Sequence, residues 1–153
     1  MASEVGDGAP DFELPDQRKR PVRLSDYRGE RNVVLVFYPL SFSSVCTSEL
    51  CGLRDDLGDF ANDGAQLLAV SVDSPYVQRA FAEQQGYRFP LLSDFWPHGE
   101  VARRYDVFDD ERGWARRGTF VIDRDGIVRW RVVTALRDPR DLDAYRRALA
   151  AVA

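Results

Sequence analysis

Cysteine and histidine are scarce in this chain: Cys46, Cys51 and His98 are the whole supply in 153 residues. That set is too small and scattered for a zinc site and too sparse for a disulfide-stapled scaffold. No metal or other cofactor is expected. Lysine is nearly absent, Lys19 standing alone among 21 basic residues. Arginine carries the rest of the positive charge. The net charge of −4 gives no support for binding nucleic acid or an anionic membrane surface. No apolar run approaches membrane-spanning length, so no membrane partner is expected either. The start, Met1 to Gly6, lacks the basic and apolar regions of a secretion signal. The expected location is therefore the cytoplasm, where a disulfide is more often transient and catalytic than structural. Repeats, low-complexity tracts and linkers are also missing, and residues 1–153 read as a single domain.

What is present is a clear alternation of element signals. Ala9-Pro10-Asp11-Phe12-Glu13-Leu14 and Val22-Arg23-Leu24 flank a turn at 15–18 and predict a hairpin. The run from Val33 to Tyr38, opened by Asn32 and closed by Pro39, is continuous and β-branched, the pattern of a strand buried on both faces. Leu50, Leu53, Leu57 and Phe60 recur at helical spacing and predict a helix from Cys46 to about Asn62. Ala65 to Val72 predicts a second buried strand. Ser74-Pro75 predicts a helix start whose inner face carries Val77, Ala80, Phe81 and Gln84. Residues 89–94 predict a short edge strand, and Gly99 to Tyr105 a brief helix. Asp123-Arg124-Asp125-Gly126 predicts the turn of a late hairpin. Asp138-Pro139 predicts the opening of a C-terminal helix with Leu142, Tyr145, Leu149 and Val152 inward. The order predicts an α/β fold: a mixed central sheet flanked by helices, with an N-terminal hairpin, fitting a thioredoxin-like fold.

Cys46 stands where the buried strand hands over to a helix. A thiol there meets free backbone N–H groups and the positive end of the helix dipole, both of which favour the reactive thiolate. Pro39 removes a competing backbone donor at the strand end. Ser43 can offer its hydroxyl to the sulfur or to a substrate oxygen. Helical spacing puts Cys46 on the inward stripe with Leu50. Glu49 lies one turn along the same side, where a lone carboxylate would oppose thiolate formation. It makes sense only beside a cation, and Arg116 and Arg117 are the candidates.

The segment from Phe37 to Leu50, with Pro39, Ser43 and Cys46 in register, resembles the active-site segment of the peroxiredoxins, in which proline, three residues, threonine or serine, two residues and cysteine follow in order. The resemblance continues through Phe89 to Asp94 and Arg117 to Asp123. Leu92-Ser93-Asp94-Phe95-Trp96-Pro97-His98-Gly99 is similar to the one-cysteine, alkyl hydroperoxide reductase E class. The resemblance implies a peroxidatic Cys46, shielded by Pro39, with Ser43 bonding the peroxide. It implies that Arg117 stabilises the thiolate and that Glu49 orients Arg117. Ser43 replaces the commoner threonine, keeping the hydroxyl without the methyl that restricts it.

Cys51 departs from that class and resembles the second cysteine of the Q-type, bacterioferritin-comigratory peroxiredoxins, which implies a resolving role. Five helical residues put the two side chains roughly 140° apart and their Cα atoms about 8–9 Å apart, so a disulfide requires the helix to unwind. Gly52, a weak helix former, would ease this. The competing reading of Cys51 is a small, partly exposed residue near Arg54 and Asp55. His98 reads as loop structure rather than a ligand. The implied partners are hydrogen peroxide or an organic hydroperoxide as substrate and thioredoxin, mycoredoxin or a low-molecular-weight thiol as reductant. A homodimer packed through Phe42, Phe95 and Trp96 is also implied. The alternative function is a thioredoxin-like disulfide exchanger or redox-regulated binding module, although its usual C-x-x-C is absent.

Overall fold

The computed structural model describes residues 4–134 and 141–152, with backbone only for residues 44–49. The N-terminal hairpin forms from β1 (Glu13–Pro15) and β2 (Pro21–Arg23), and a 3-10 turn at Leu24–Tyr27 follows it. The apolar run becomes β3 (Asn32–Phe37), buried along its entire length. Then come α1 (Ser44–Asp55), α2 (Leu57–Phe60) and β4 (Ala65–Ser71). Next are α3 (Pro75–Gln85), β5 (Leu91–Ser93) and α4 (Glu100–Arg104). The chain closes through β6 (Phe108–Asp109), β7 (Trp114–Ala115), β8 (Arg117–Ile122), β9 (Val128–Thr134) and α5 (Leu142–Ala150).

The five-stranded sheet runs β5-β4-β3-β8-β9. β3, β4 and β5 are parallel, joined by helical crossovers, while β8 and β9 are antiparallel. Because side chains alternate across a strand, the sheet feeds two cores. Leu35, Phe37, Leu68, Val70 and Phe120 pack with Phe12, Val101 and Tyr105 on one face. Val34, Val36, Leu67, Ala69 and Val121 pack with Leu50, Leu53, Phe81 and Tyr145 on the other. A strand covered on both faces has no polar side, so β3 reads as a continuous hydrophobic run. At the exposed edge, Gln17 acts as a surrogate strand, its amide donating to Phe89 O at 3.1 Å and accepting from Leu91 N at 2.9 Å.

Two sequence expectations need correction, one lies outside the described residues and one element was not foreseen. The helix after Cys46 breaks at Asp56, and the re-aimed α2 brings the buried Phe60 edge-on to Tyr145, centroids 6.4 Å apart. The inner face of α3 is Gln78, Phe81 and Ala82, whereas Val77, Ala80 and Gln84 are exposed. Gln78 turns inward because its amide bonds Ser71 Oγ at 3.0 Å and Leu92 O at 2.8 Å, a reason that apolar periodicity cannot register. The described cap of α5 is Asp141, which accepts from Ala144 N at 3.1 Å; Asp138-Pro139 lies outside the described residues. The β6–β7 hairpin has no counterpart in the sequence reading. The Ser74 cap is found as expected, accepting from Val77 N at 3.3 Å.

Asp94, 1% exposed, follows β5 and accepts the backbone N–H groups of Val101 at 3.1 Å and Ala102 at 3.0 Å, tethering α4. Burial pushes its carboxyl up to about 6, against the pull of those two bonds. The folded state then holds more protons than the unfolded chain between about pH 4 and pH 6, so stability is full below that window and falls as pH rises through it. A shift of this size corresponds to about 2–3 kcal/mol. Unfolding free energies measured by denaturant from pH 4 to pH 7 should show this decline in the native protein and its loss in Asp94→Asn. Parallel curves for the two proteins would assign the slope to other groups.

Candidate active site

Parallel β3, β4 and β5 all end at one edge of the sheet, and their following loops share that edge. Such an edge, where the chain leaves to opposite sides, is the usual place for a site in an α/β sheet. β3 delivers Pro39, Ser43 and the start of α1; β4 delivers Asp73; β5 delivers Asp94, Phe95 and Trp96. β8 begins at the same edge from the other side. Its register sets Thr119 opposite Val36, and two more residues bring Arg117 level with Tyr38.

Cys46 is the third residue of α1, in the turn whose backbone N–H groups have no intrahelical acceptor. Its side chain and that of Glu49 lie outside the described residues, as does the expected Glu49–Arg117 contact. Ser43 is the N-cap residue, and its hydroxyl donates to Leu40 O at 3.0 Å. Arg117 is 2% exposed, whereas Arg116 is exposed to solvent. The two candidate cations are thereby distinguished: only one is at low dielectric. Gly118 is required beside it, because a Cβ would stand 2.8 Å from Val107 Cγ1. A cavity of about 190 Å³ opens next to Arg117, lined by Asp109, Arg112, Trp114, Arg116 and Thr134. A larger cleft of about 540 Å³ lies beside α3, between Lys19, Tyr76, Arg79 and Tyr87, away from these residues.

The loop into α1 is held in an unusual shape. Phe42 has φ of 68°, a left-handed conformation that costs a non-glycine residue about 1–2 kcal/mol. Its ring packs on Phe81, centroids 4.9 Å apart, while 48% of the residue stays exposed. Phe95 and Trp96 are 52% and 80% exposed at the same sheet edge. A group that sequence reasoning missed surrounds the loop: Ser41, Ser71, Asp73, Gln78 and Ser93, joined by short hydrogen bonds. The available signal was a run of polar residues at the ends of two apolar strands.

Cys51 is partly buried against the second core, at the junction of α1 with the turn after α3. Its thiol lies 3.5 Å from Gln85 Oε1 and 3.4 Å from the Tyr87 hydroxyl. Burial, and then this sulfur, raise the Tyr87 hydroxyl above its ordinary range. Arg54 donates to Gln85 O at 2.7 Å and closes the same junction. Gly52 has a packing reason, since a Cβ there would meet Leu142 Cδ1 at 3.2 Å. His98 Nε2 donates to Gly113 O at 2.7 Å, and the ring stands edge-on to Phe108, in keeping with a loop role.

A thioredoxin-like sheet with a cysteine at the strand-to-helix edge defines a thiol-based redox class. The AhpC/TSA family profile matches residues 5–131. The chain is 49% identical over 148 residues to alkyl hydroperoxide reductase E of Mycobacterium tuberculosis, covering 97% of each. It is 38% identical to a thioredoxin peroxidase of Echinococcus granulosus, covering 97% of this chain and 81% of that one. The crystal structure of peroxidoxin BcpB from Mycobacterium tuberculosis superposes with a TM-score of 0.87 at 36% identity, over 98% of each chain. The chain belongs to the AhpC/TSA family. It is a peroxiredoxin, a thiol-dependent peroxidase that acts on peroxides with a thiol reductant, and the reading as a disulfide exchanger without peroxidase activity is set aside. No helix among the described residues is long and apolar enough to cross a membrane.

Proposed function

We propose that Cys46 is the peroxidatic thiol and Cys51 its resolving partner, with hydrogen peroxide and organic hydroperoxides as substrates. The observation that carries the reading is the meeting, at one sheet edge, of the first turn of α1 and the buried Arg117. The Cys46 thiolate attacks one peroxide oxygen as the O–O bond breaks. The leaving oxygen takes a proton and departs as water or an alcohol, and Cys46 becomes a sulfenic acid. Arg117 stabilises the thiolate and the charge developing on the leaving oxygen. Glu49 orients Arg117, and Pro39 shields the sulfur from water. Ser43, its proton given to Leu40 O, accepts a hydrogen bond from the peroxide.

Cys51 then attacks the sulfenic sulfur and expels water, forming a disulfide. The contacts of Cys51 with Gln85 and Tyr87 turn it toward α3, so α1 must open before the sulfurs meet. Thioredoxin, mycoredoxin or a low-molecular-weight thiol restores the dithiol by exchange. Dependence on such reductants fits a cytoplasmic enzyme. The exposed Phe42, Phe95 and Trp96 at one edge support a homodimer formed through that edge.

Intact mass spectrometry after one equivalent of peroxide tests the cysteine roles. The native protein should lose about two mass units as the disulfide forms, and Cys51→Ser should gain one oxygen. Cys46→Ser should stay unmodified. Oxidation of folded Cys46→Ser at the native rate would falsify the peroxidatic assignment. Oxygen gain by the native protein, with no disulfide, would make this a one-cysteine enzyme that depends on external thiol. For the homodimer, sedimentation of the reduced protein at micromolar concentration should give twice the chain mass, and Trp96→Arg should shift it toward monomer. A strictly monomeric native protein removes the dimer from the account.

A further inference from the structure

We propose that Asp73 is a positioning residue for the peroxide reaction, a clamp that fixes the loop from Pro39 to Ser43 against β4 and so aligns Ser43 and the first turn of α1. The proposal rests on Cys46 being the peroxidatic thiol. Asp73 Oδ2 accepts three hydrogen bonds: from Ser41 N at 2.8 Å, Ser41 Oγ at 2.8 Å and Ser71 Oγ at 2.7 Å. Ser71, fully buried in β4, accepts in turn from the buried Gln78 amide at 3.0 Å, which also donates to Leu92 O at 2.8 Å. Ser93 Oγ donates to Asp73 O at 2.6 Å. Both the carboxylate and the backbone of Asp73 are thereby tied to the central sheet.

The proton directions follow without choice. A carboxylate only accepts, so both serine hydroxyls donate to it. Tyr38 OH, 3.1 Å from Ser41 Oγ, must then be the donor of that pair. Ser41 N and Oγ are both committed to Asp73, and Oγ also accepts from Tyr38. The next residue is the left-handed Phe42. A backbone in that region persists only where its surroundings over-determine it. Here those surroundings are the Asp73 clamp before Phe42, its ring on Phe81, and the Ser43–Leu40 bond after it. Without Asp73 the left-handed turn relaxes, and Ser43 and the entry to α1 move with it. Displacement by about 1 Å at reacting groups can cost about 100-fold in rate.

The test compares two reactions of Cys46 in the reduced native chain, Asp73→Ala, Asp73→Asn and Ser41→Ala. The first is single-turnover consumption of hydrogen peroxide by stopped flow, which requires alignment of the peroxide. The second is alkylation by iodoacetamide across pH, with the Cys46 adduct identified by peptide mapping, which requires only an accessible thiolate. Circular dichroism monitors the fold. Asp73→Ala should lower the peroxide rate about 10–100-fold while alkylation at high pH changes less than about threefold. Asp73→Asn, which keeps an acceptor oxygen in place, should recover most of the rate. Ser41→Ala, retaining its N–H bond, should fall between. Adding Ser41→Ala to Asp73→Ala should cost less than Ser41→Ala costs in the native chain, since the two share the Ser41–Asp73 contact and only the Tyr38 bond is lost in addition. Should Asp73→Ala not fold, Ser41→Ala carries the same comparison. A native peroxide rate in Asp73→Ala and Ser41→Ala, or equal losses in both reactions, overturns the clamp. Absence of any peroxide reaction at Cys46 in the native chain would instead overturn the reading on which the clamp rests.

Discussion

Burial of β3 on both faces, at the centre of the sheet, is the constraint from which the site follows. Val33 to Tyr38 are at most 2% exposed, and the strand is fixed in register by β4 on one side and β8 on the other. A one-residue slip would turn every one of its side chains to the opposite core. With β3 fixed, three loops and the start of β8 must converge at its C-terminal edge. Cys46 is delivered there by chain connectivity, and Arg117 by antiparallel pairing.

Magnitudes bear on which feature would activate the proposed peroxidatic thiol. An ordinary cysteine has a pKa of about 8.5, so a largely ionised thiol at neutral pH needs a shift of about two units, or about 2.7 kcal/mol. A helix N-terminus supplies about 0.3–1 kcal/mol at an exposed position and rarely more than about 2 kcal/mol when partly buried. The dipole of α1 alone falls short. A guanidinium at 2% exposure acts through a much lower dielectric than one in solvent. In the proposed mechanism the larger share of the activation would fall to Arg117 rather than to its exposed neighbour Arg116.

The sequence revealed what is written in apolar period and in local chemistry. The unbroken run of β3, the Ser74-Pro75 start of α3, the turn at 123–126 and the thiol at a strand-to-helix junction were legible because each is a local signal. The long-range polar contacts were not. Gln78 occupies an inward position because of Ser71 and Leu92 O, partners that are distant until the sheet forms. Asp73 falls between the β4 and α3 signals and has no local mark of its role until Ser41 is brought against it. The break at Asp56 likewise answers to the packing of Phe60 on Tyr145, a residue far along the chain. Spacing alone left Arg116 and Arg117 as equal candidates and the family resemblance chose Arg117; the structure adds that Arg117 is buried and Arg116 exposed.

The central claim is that a buried cation, more than the helix dipole, holds Cys46 as a thiolate. The direct measurement is the pH dependence of Cys46 alkylation, mapped by peptide, in the native protein and in Arg117→Met, with circular dichroism confirming the fold. The account predicts a native midpoint well below about 8.5 and a rise of at least about one unit in Arg117→Met. Superimposable profiles for the two folded proteins would contradict it.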